Sequence, residues 1–358
     1  MTDTGRALAL KPDLEDAEDR WLAFWAHEII GRPCCMIQAP SMEADTVAAP
    51  PYLAGVRGSL TAVADQALAW GRSRYWGGES IPCYVPSFGP DMVAAFLGAE
   101  LVVPEDGTGT TWARPCVEDW DRALPLVVDE ENYWWRRMQE FLGVLAERFA
   151  GEMLVAHLDL HSNLDALLAL RGGERLCLDL IDRPETIDRA MAEVRRWYPK
   201  VDQGVRRAGR MEQGACGWIP FYHPERTNVI QCDFAALIGP AHFRRWALPA
   251  LTEEAAYLGR CAMHYDGPEM LVHLDDVCAI PHLKCIQWQP GARNQPFHHW
   301  LDLLKAIQER GMAVHVPCSV EELRQYHREL RPELVCYHCW AASQGEAEEA
   351  LRWLSANT

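Results

Sequence analysis

The chain predicts an α/β fold in which a single domain closes as a (β/α)8 barrel, the TIM-barrel architecture, with an elaborated amino-terminal third. Three observations predict it. From residue 151 to residue 358, short apolar runs alternate regularly with segments of helical spacing, the pattern of a parallel sheet with right-handed crossovers. The earlier runs Cys34–Gln38 and Ile81–Val85 bring the strands to eight or nine, which favours a closed barrel over an open sheet. Polar residues stand where each run gives way to a loop, most clearly between Cys261 and Ala292, and in parallel α/β proteins ligands bind at those carboxyl ends.

The elements follow in order. Residues 13–30 have an acidic first turn and an apolar face of Trp21, Phe24, Trp25 and Ile29, which predicts a helix ended by Gly31-Arg32-Pro33. Cys34–Gln38 is the first buried strand, Leu60–Trp70 a helix, Ile81–Val85 a strand, Pro90–Leu97 a helix, Gly107–Thr111 a polar turn and Asn132–Phe149 a strong helix. The rest of 41–80 carries Pro50-Pro51 and Gly77-Gly78 with little periodicity. Within the elaborated residues 41–150, this stretch is expected to fold over the cavity mouth and contribute Trp76. Strands are expected at Met153–Leu158, Gly214–Pro220, Asn228–Cys232, Cys261–Met263, Cys285–Trp288, Ala313–Val316 and Leu334–Tyr337. Helices are expected at Leu164–Arg171, Pro184–Tyr198, Pro240–Leu258, Met270–Val277, Trp300–Arg310, Ser319–Leu330 and Gly345–Leu354.

Composition narrows the function. A net charge of −17 disfavours nucleic acid and anionic membranes as partners. No run of about 18 apolar residues predicts a membrane span, and the acidic amino terminus lacks the apolar core of a signal peptide, so a cytoplasmic location is expected. The 13 cysteines are scattered and odd in number, which reads as reduced thiols rather than a disulfide framework. Fifteen tryptophans leave several to line a pocket after the core is filled.

The strand ends offer His157, Asp159 and His161, then Tyr222 and His223, Asp233, His264 and Asp266, Trp288 and Gln289, His315 and Cys318, and His338 and Cys339. A barrel brings such distant residues to one cavity, so His157, Asp159, Tyr222, His223, Trp288, Gln289 and Trp76 are expected to bind substrate. His264-x-Asp266 is the sharpest element. Two residues apart on a strand, the two side chains point the same way and can share a metal ion or act as an acid/base pair, with Asp233 as a further catalytic candidate. Cys336-Tyr-His-Cys339 has CxxC spacing, but no second pair stands at zinc-ribbon distance; either two partly buried thiols or a single ligand, Cys339, satisfies it.

The passage LDLHSNLDALLALRGGERLCLDLIDRPETIDRAMAEV resembles the uroporphyrinogen decarboxylase superfamily, and CDFAALIGPAHFRRWALPAL followed by MHYDGP resembles its next segments in the same order. The likeness covers residues 150–358 well and the amino-terminal third loosely. It implies a (β/α)8 barrel, in agreement with the strand count. True uroporphyrinogen decarboxylases carry an RQAGR-like arginine motif, which the corresponding stretch Gly31–Pro40 lacks. The resemblance therefore points to the branch of zinc-dependent methyltransferases that move methyl groups between a corrinoid and a thiol. Their zinc site resembles His-x-Cys plus a distant Cys. His264 matches the first ligand and Cys339 the last, while Asp266 stands where a cysteine would be.

On this likeness the expected function is methyl transfer on a small-molecule substrate. Zinc would be held by His264, Asp266 and Cys339, with an open fourth position, and a corrinoid would be carried by a separate partner protein. Two other readings stay open: a metal-free decarboxylase or lyase using His264 and Asp266 as acid and base, and a non-catalytic barrel that binds a small molecule. A homodimer is compatible with the sequence.

Overall fold

A computed structural model describes residues 7–105, 109–291 and 295–358. The expected turn Gly107–Thr111 and the end of the Cys261–Ala292 stretch fall partly outside these residues. The strands that organise the fold are β1 (Cys34–Pro40), β2 (Arg74–Gly78), β3 (Cys83–Tyr84), β4 (Leu154–Val155), β5 (Ala215–Cys216), β6 (Val229–Ile230), β7 (Cys261–Asp266), β8 (Leu283–Gln289), β9 (Ala313–Ser319) and β10 (Val335–Trp340). Seven of them form one sheet in the order β2-β1-β10-β9-β8-β7-β6. All its pairings are parallel except β1 with β2. β3 and β4 make a separate parallel pair, and the His157 amide donates to the Cys216 carbonyl at 2.8 Å, which brings β5 beside the end of β4. The architecture is thus a mixed α/β fold around a parallel-dominated sheet that curls as half a barrel, rather than one uninterrupted eight-stranded ladder.

Residue parity along the strands divides the core in two. Cys34 and Met36 of β1, Ala262 of β7, Cys285 of β8, Ala313 of β9 and Cys336 of β10 belong to an inner core. Their neighbours Cys35, Ile37, Met263, Tyr265, Ile286, Trp288, Tyr337 and Cys339 belong to the outer core against the helices. Helix α1 (Leu14–Ala26) adds Trp21, Phe24 and Trp25 to the inner core, where they meet the first residues of the strands and close that end. The Trp21 indole donates to the Glu79 carbonyl at 2.9 Å and that of Trp25 to the Tyr222 carbonyl at 2.8 Å. Beside them the buried Arg32 guanidinium holds the Glu79 carboxylate through both nitrogens, and Glu79 also accepts the Cys35 amide at 2.7 Å, so the pair is satisfied rather than merely adjacent. Truncating a tryptophan packed like Trp21 costs about 3–5 kcal/mol.

Several elements differ from the sequence reading. The first helix stops at Ala26 because His27 turns into the left-handed conformation. Arg74–Gly78, left without an element above, pairs antiparallel with β1. The expected strand Gly214–Pro220 is two residues long. The chain then reverses, and Tyr222-His223 runs back antiparallel to Ala215-Cys216. The helix expected to end at Tyr198 continues to Ala208 through Pro199. Conversely, β7 runs past Met263 to Asp266, which keeps His264 and Asp266 on a regular strand.

Candidate functional site

Strand β7 places His264 and Asp266 on one face at the carboxyl end of the sheet, and Asp233 opens the short 3-10 helix Asp233–Leu237 that follows β6. One ligand atom of each lies within 4.8 Å of the others, and all three side chains are half-buried. Three further contacts fix the group. The Gln287 side chain, on the inward face of β8, hydrogen-bonds His264 Nδ1, which leaves Nε2 as the ring's free nitrogen. The Trp218 ring meets the imidazole edge-on at 5.3 Å. Asp165 accepts the backbone N–H groups of Asp233 (2.9 Å) and Phe234 (2.8 Å), anchoring the loop that carries Asp233.

Asp266 Oδ1 is buried and, among the described residues, makes no hydrogen bond of good geometry, although the nearby Gly291 backbone N–H pulls on the carboxyl. A carboxylate oxygen in that position is costly unless something else pairs with it. The loops after β7 and β8 meet beside it. A Cβ on Gly291, whose φ of +73 lies in the left-handed region, would lie 3.2 Å from the Gly267 Cα, so only glycine permits that approach.

A second ring of acids surrounds His161. Its Nε2 lies 3.8 Å from Asp233 and 4.0 Å from Asp159, and its Nδ1 lies 3.8 Å from Asp91. Burial alone would lower this imidazole, but Asp165, Asp159, Asp233 and Asp91 outweigh it and hold His161 above the usual histidine range. Burial pushes the Asp165 carboxyl up to about 7 against the pull of His161. Asp159, which accepts from Gln231 at 2.7 Å, is raised by burial against His161 and His264. Burial likewise raises Asp266, with His264 opposing and Asp233 adding to the shift. The helix Asn163–Arg171 that carries Asp165 begins with a non-glycine residue at positive φ, Asn163 (φ 49), tied by its side chain to the Gln231 carbonyl at 2.9 Å.

Other expected site residues lie elsewhere. Cys339 does not join His264 and Asp266: its thiol lies 3.4 Å from Cys318 in the outer core, because on β10 the inward positions are Cys336 and His338. Trp288 also faces outward, packed edge-on against Trp300 at 4.9 Å. Tyr222 and His223 sit at the opposite end of the sheet. The hairpin carries them back toward α1, where the Tyr222 hydroxyl donates to Glu18 and Arg260 donates to the His223 ring. His157 is fully buried, with Nε2 3.0 Å from Asp202 and Nδ1 2.8 Å from the Asn228 amide, a structural tie between sheet and helix. Gln289 is exposed and pairs in register with Asp266, at the edge of the acidic group.

Trp76 lines a different cavity of about 380 Å³, with Gln38, Trp70, His338 and Trp340; Pro50 and Tyr52 border it from the preceding segment. Among the residues the sequence reading did not single out, Gln287 was findable, since it shares a strand face with Gln289. Asp91 stands at the cap of the helix Met92–Phe96 and Asp165 in the first turn of Asn163–Arg171, where no periodic signal marks a site.

No family model and no curated protein sequence matches this chain. Among solved structures it is similar to a methyltransferase from Methanosarcina mazei, with a TM-score of 0.63 over 95% of this chain and 98% of that one, at 12% sequence identity. At that identity the likeness speaks for the fold.

Proposed function

We propose that the chain is a methyltransferase-type enzyme acting on a small molecule, with Asp233, His264 and Asp266 as the ligands of a divalent metal ion. The convergence of their three ligand atoms within 4.8 Å carries this reading. The buried Oδ1 of Asp266, without a hydrogen bond of good geometry among the described residues, fits a cation, and so does the donor set, one imidazole nitrogen and two carboxylate oxygens, which suits zinc and harder divalent ions. The fold it shares with a methyltransferase supports the reaction class. A metal ion held there supplies a Lewis acid that favours ionisation of a bound thiol or water. The protein's own part is to orient His264 through Gln287, to fix Asp233 through Asp165, and to hold His161 above the usual histidine range beside the acids around it. Asp233 replaces Cys339 in the proposed ligand set. A methyl donor carried as a corrinoid on a separate protein belongs to this reading.

The raised carboxyls favour a second reading. With Asp165 titrating near 7 and Asp266 and Asp159 above the usual range, the same pocket can hold a general acid for a metal-free decarboxylase or lyase with His264 as its partner. One experiment separates the two. Protein purified without chelators is analysed for metals and assayed for methyl transfer from methylcobalamin to a small thiol, beside Asp233→Ala and His264→Ala. The first reading expects about one equivalent of metal and transfer activity, both lost in the variants. Negligible metal in wild type would leave the acid/base reading.

A further inference from the structure

The acids around His161 lack the partners that other buried acids of the chain have. Asp179 is held by Arg171 at 2.6 Å, Glu79 by Arg32, and Asp202 by Arg206 at 2.8 Å. Among the described residues, no lysine or arginine forms an ion pair with Asp91, Asp159, Asp233 or Asp266, and the first three face His161 instead. The charges do not balance. Even with His161 counted as protonated and a divalent ion on Asp233, His264 and Asp266, three positive charges stand against four ionised carboxylates. Burial raises Asp159 against the pull of His161 and His264, so a further cation beside it would also restore its charge.

Two of these acids, Asp91 and Asp159, stand outside the proposed ligand set and are held in place. Asp91 Oδ2 accepts the Ala113 N–H at 2.8 Å and leaves Oδ1 toward His161, while Asp159 Oδ1 accepts from Gln231 at 2.7 Å. The imidazole lies 3.8 Å from Asp91 and Asp233 and 4.0 Å from Asp159, beyond hydrogen-bond length, so it does not use up their acceptor capacity. Between 17 and 36% of each of these four side chains is exposed, so a small molecule can reach them. A primary ammonium, a compact charge with three N–H donors, suits carboxylates fixed in this way. A carboxylate or sulfonate in the same place would meet repulsion from both. Asp233 belongs to the ligand set and also faces His161, so the metal position and the acid pair are neighbours that a short spacer can join.

We propose that this site takes a cationic substrate, a small molecule whose primary ammonium is received by Asp91 and Asp159 and whose thiol, on a short spacer, meets the metal. The thiol end rests on the metal reading above; the ammonium end does not. The test loads the full chain with cobalt(II) and titrates it with cysteamine, 2-mercaptoethanol and 3-mercaptopropionate, thiols with a cationic, an uncharged and an anionic tail. Binding is read from the sulfur-to-cobalt absorption band. Because the three thiols ionise differently, the decisive quantity is how their affinity ratios change between wild type and variants. Cysteamine is expected to bind about tenfold or more tightly than 3-mercaptopropionate, the scale of one uncompensated charge in a partly buried site. Asp91→Asn and Asp159→Asn should each cut that preference by about threefold or more while 2-mercaptoethanol binding holds, which a misfolded variant would not show. A preference unchanged in both variants, 3-mercaptopropionate binding as tightly as cysteamine, or a second equivalent of cobalt taken up by the acids would each overturn the proposal. Absence of cobalt uptake would instead remove the metal reading and with it the thiol end. Calorimetry of ethylamine against propionate on the same protein then decides the ammonium end, and no binding of ethylamine would overturn that as well.

Discussion

Asp165 accepts the backbone N–H of Asp233 at 2.9 Å, so a fully buried acid on one helix sets the position of an acid that opens the 3-10 turn after β6. The contact is to backbone, and it therefore acts on where Asp233 stands rather than on its charge. Asp165→Asn keeps an acceptor but sets an amide N–H against one of the two donors. We expect this variant to remain folded by circular dichroism and to bind zinc about 10–100-fold more weakly, the usual scale for a residue that orients a ligand. Unchanged zinc affinity would detach Asp165 from the site.

Cys339 separates the observed ligand set from the expected one. Asp266→Ala and His264→Ala are predicted to remove most bound metal. Cys339→Ser is predicted to leave metal content as in wild type and to lower stability by about 1–3 kcal/mol, since it puts a hydroxyl into the buried thiol pair with Cys318. Elemental analysis and urea melts on the three variants read both effects. Loss of metal in Cys339→Ser would restore the thiol to the ligand set.

Glu254 is buried and accepts from the Ser162 hydroxyl at 2.7 Å; burial raises it to about 8 against the pull of Ser162 and Asn163. A carboxyl raised in the fold is neutral there, so its contribution is fully present below the unfolded value near 4.5 and is lost as pH rises toward 8. Glu254→Gln removes the titration. Its melting temperature should exceed that of wild type at pH 8, by roughly 1–3 kcal/mol of stability, with the gap closing toward pH 5.

His157 and Asp202 tie β4 to the long helix Pro184–Ala208, and Arg206 also reaches Asp202 at 2.8 Å. Burial opposes ionisation of Asp202, but His157 and Arg206 hold its carboxyl well below the usual range, so this stability is present above about pH 4 and is lost on acidification. His157→Ala should destabilise the fold by about 3–5 kcal/mol, the scale of breaking a buried pair, and leave metal content unchanged. A metal-depleted but stable His157→Ala would move this residue into the site.

Much of the site was legible because strand periodicity is simple. His264 and Asp266 share a face at spacing two, and that relation holds on β7. The same rule, applied to β10, turns His338 inward and Cys339 outward, whereas the expectation for Cys339 came from the family resemblance. Tyr222 and His223 were placed with the pocket because Gly214–Pro220 looked like one strand; the reversal after Cys216 depends on tertiary contacts with α1 that no local pattern announces. The alternation of strands and helices after residue 151 conveyed the parallel sheet. The ladder breaks around β3 to β5 did not show, because those strands pair for only two residues each.

The pairing of β1 with β10 joins Cys34 to Cys336 across 302 positions of the chain. On a ribosome, the first strand emerges with that edge unpaired and waits for almost everything else to be made. The antiparallel hairpin partner β2 covers its other edge early, and α1 can shield the thiols and aromatics beneath it. Closure of the β1–β10 seam is therefore a late event in synthesis, and the half-finished molecule is the one that chaperones and neighbouring nascent chains encounter.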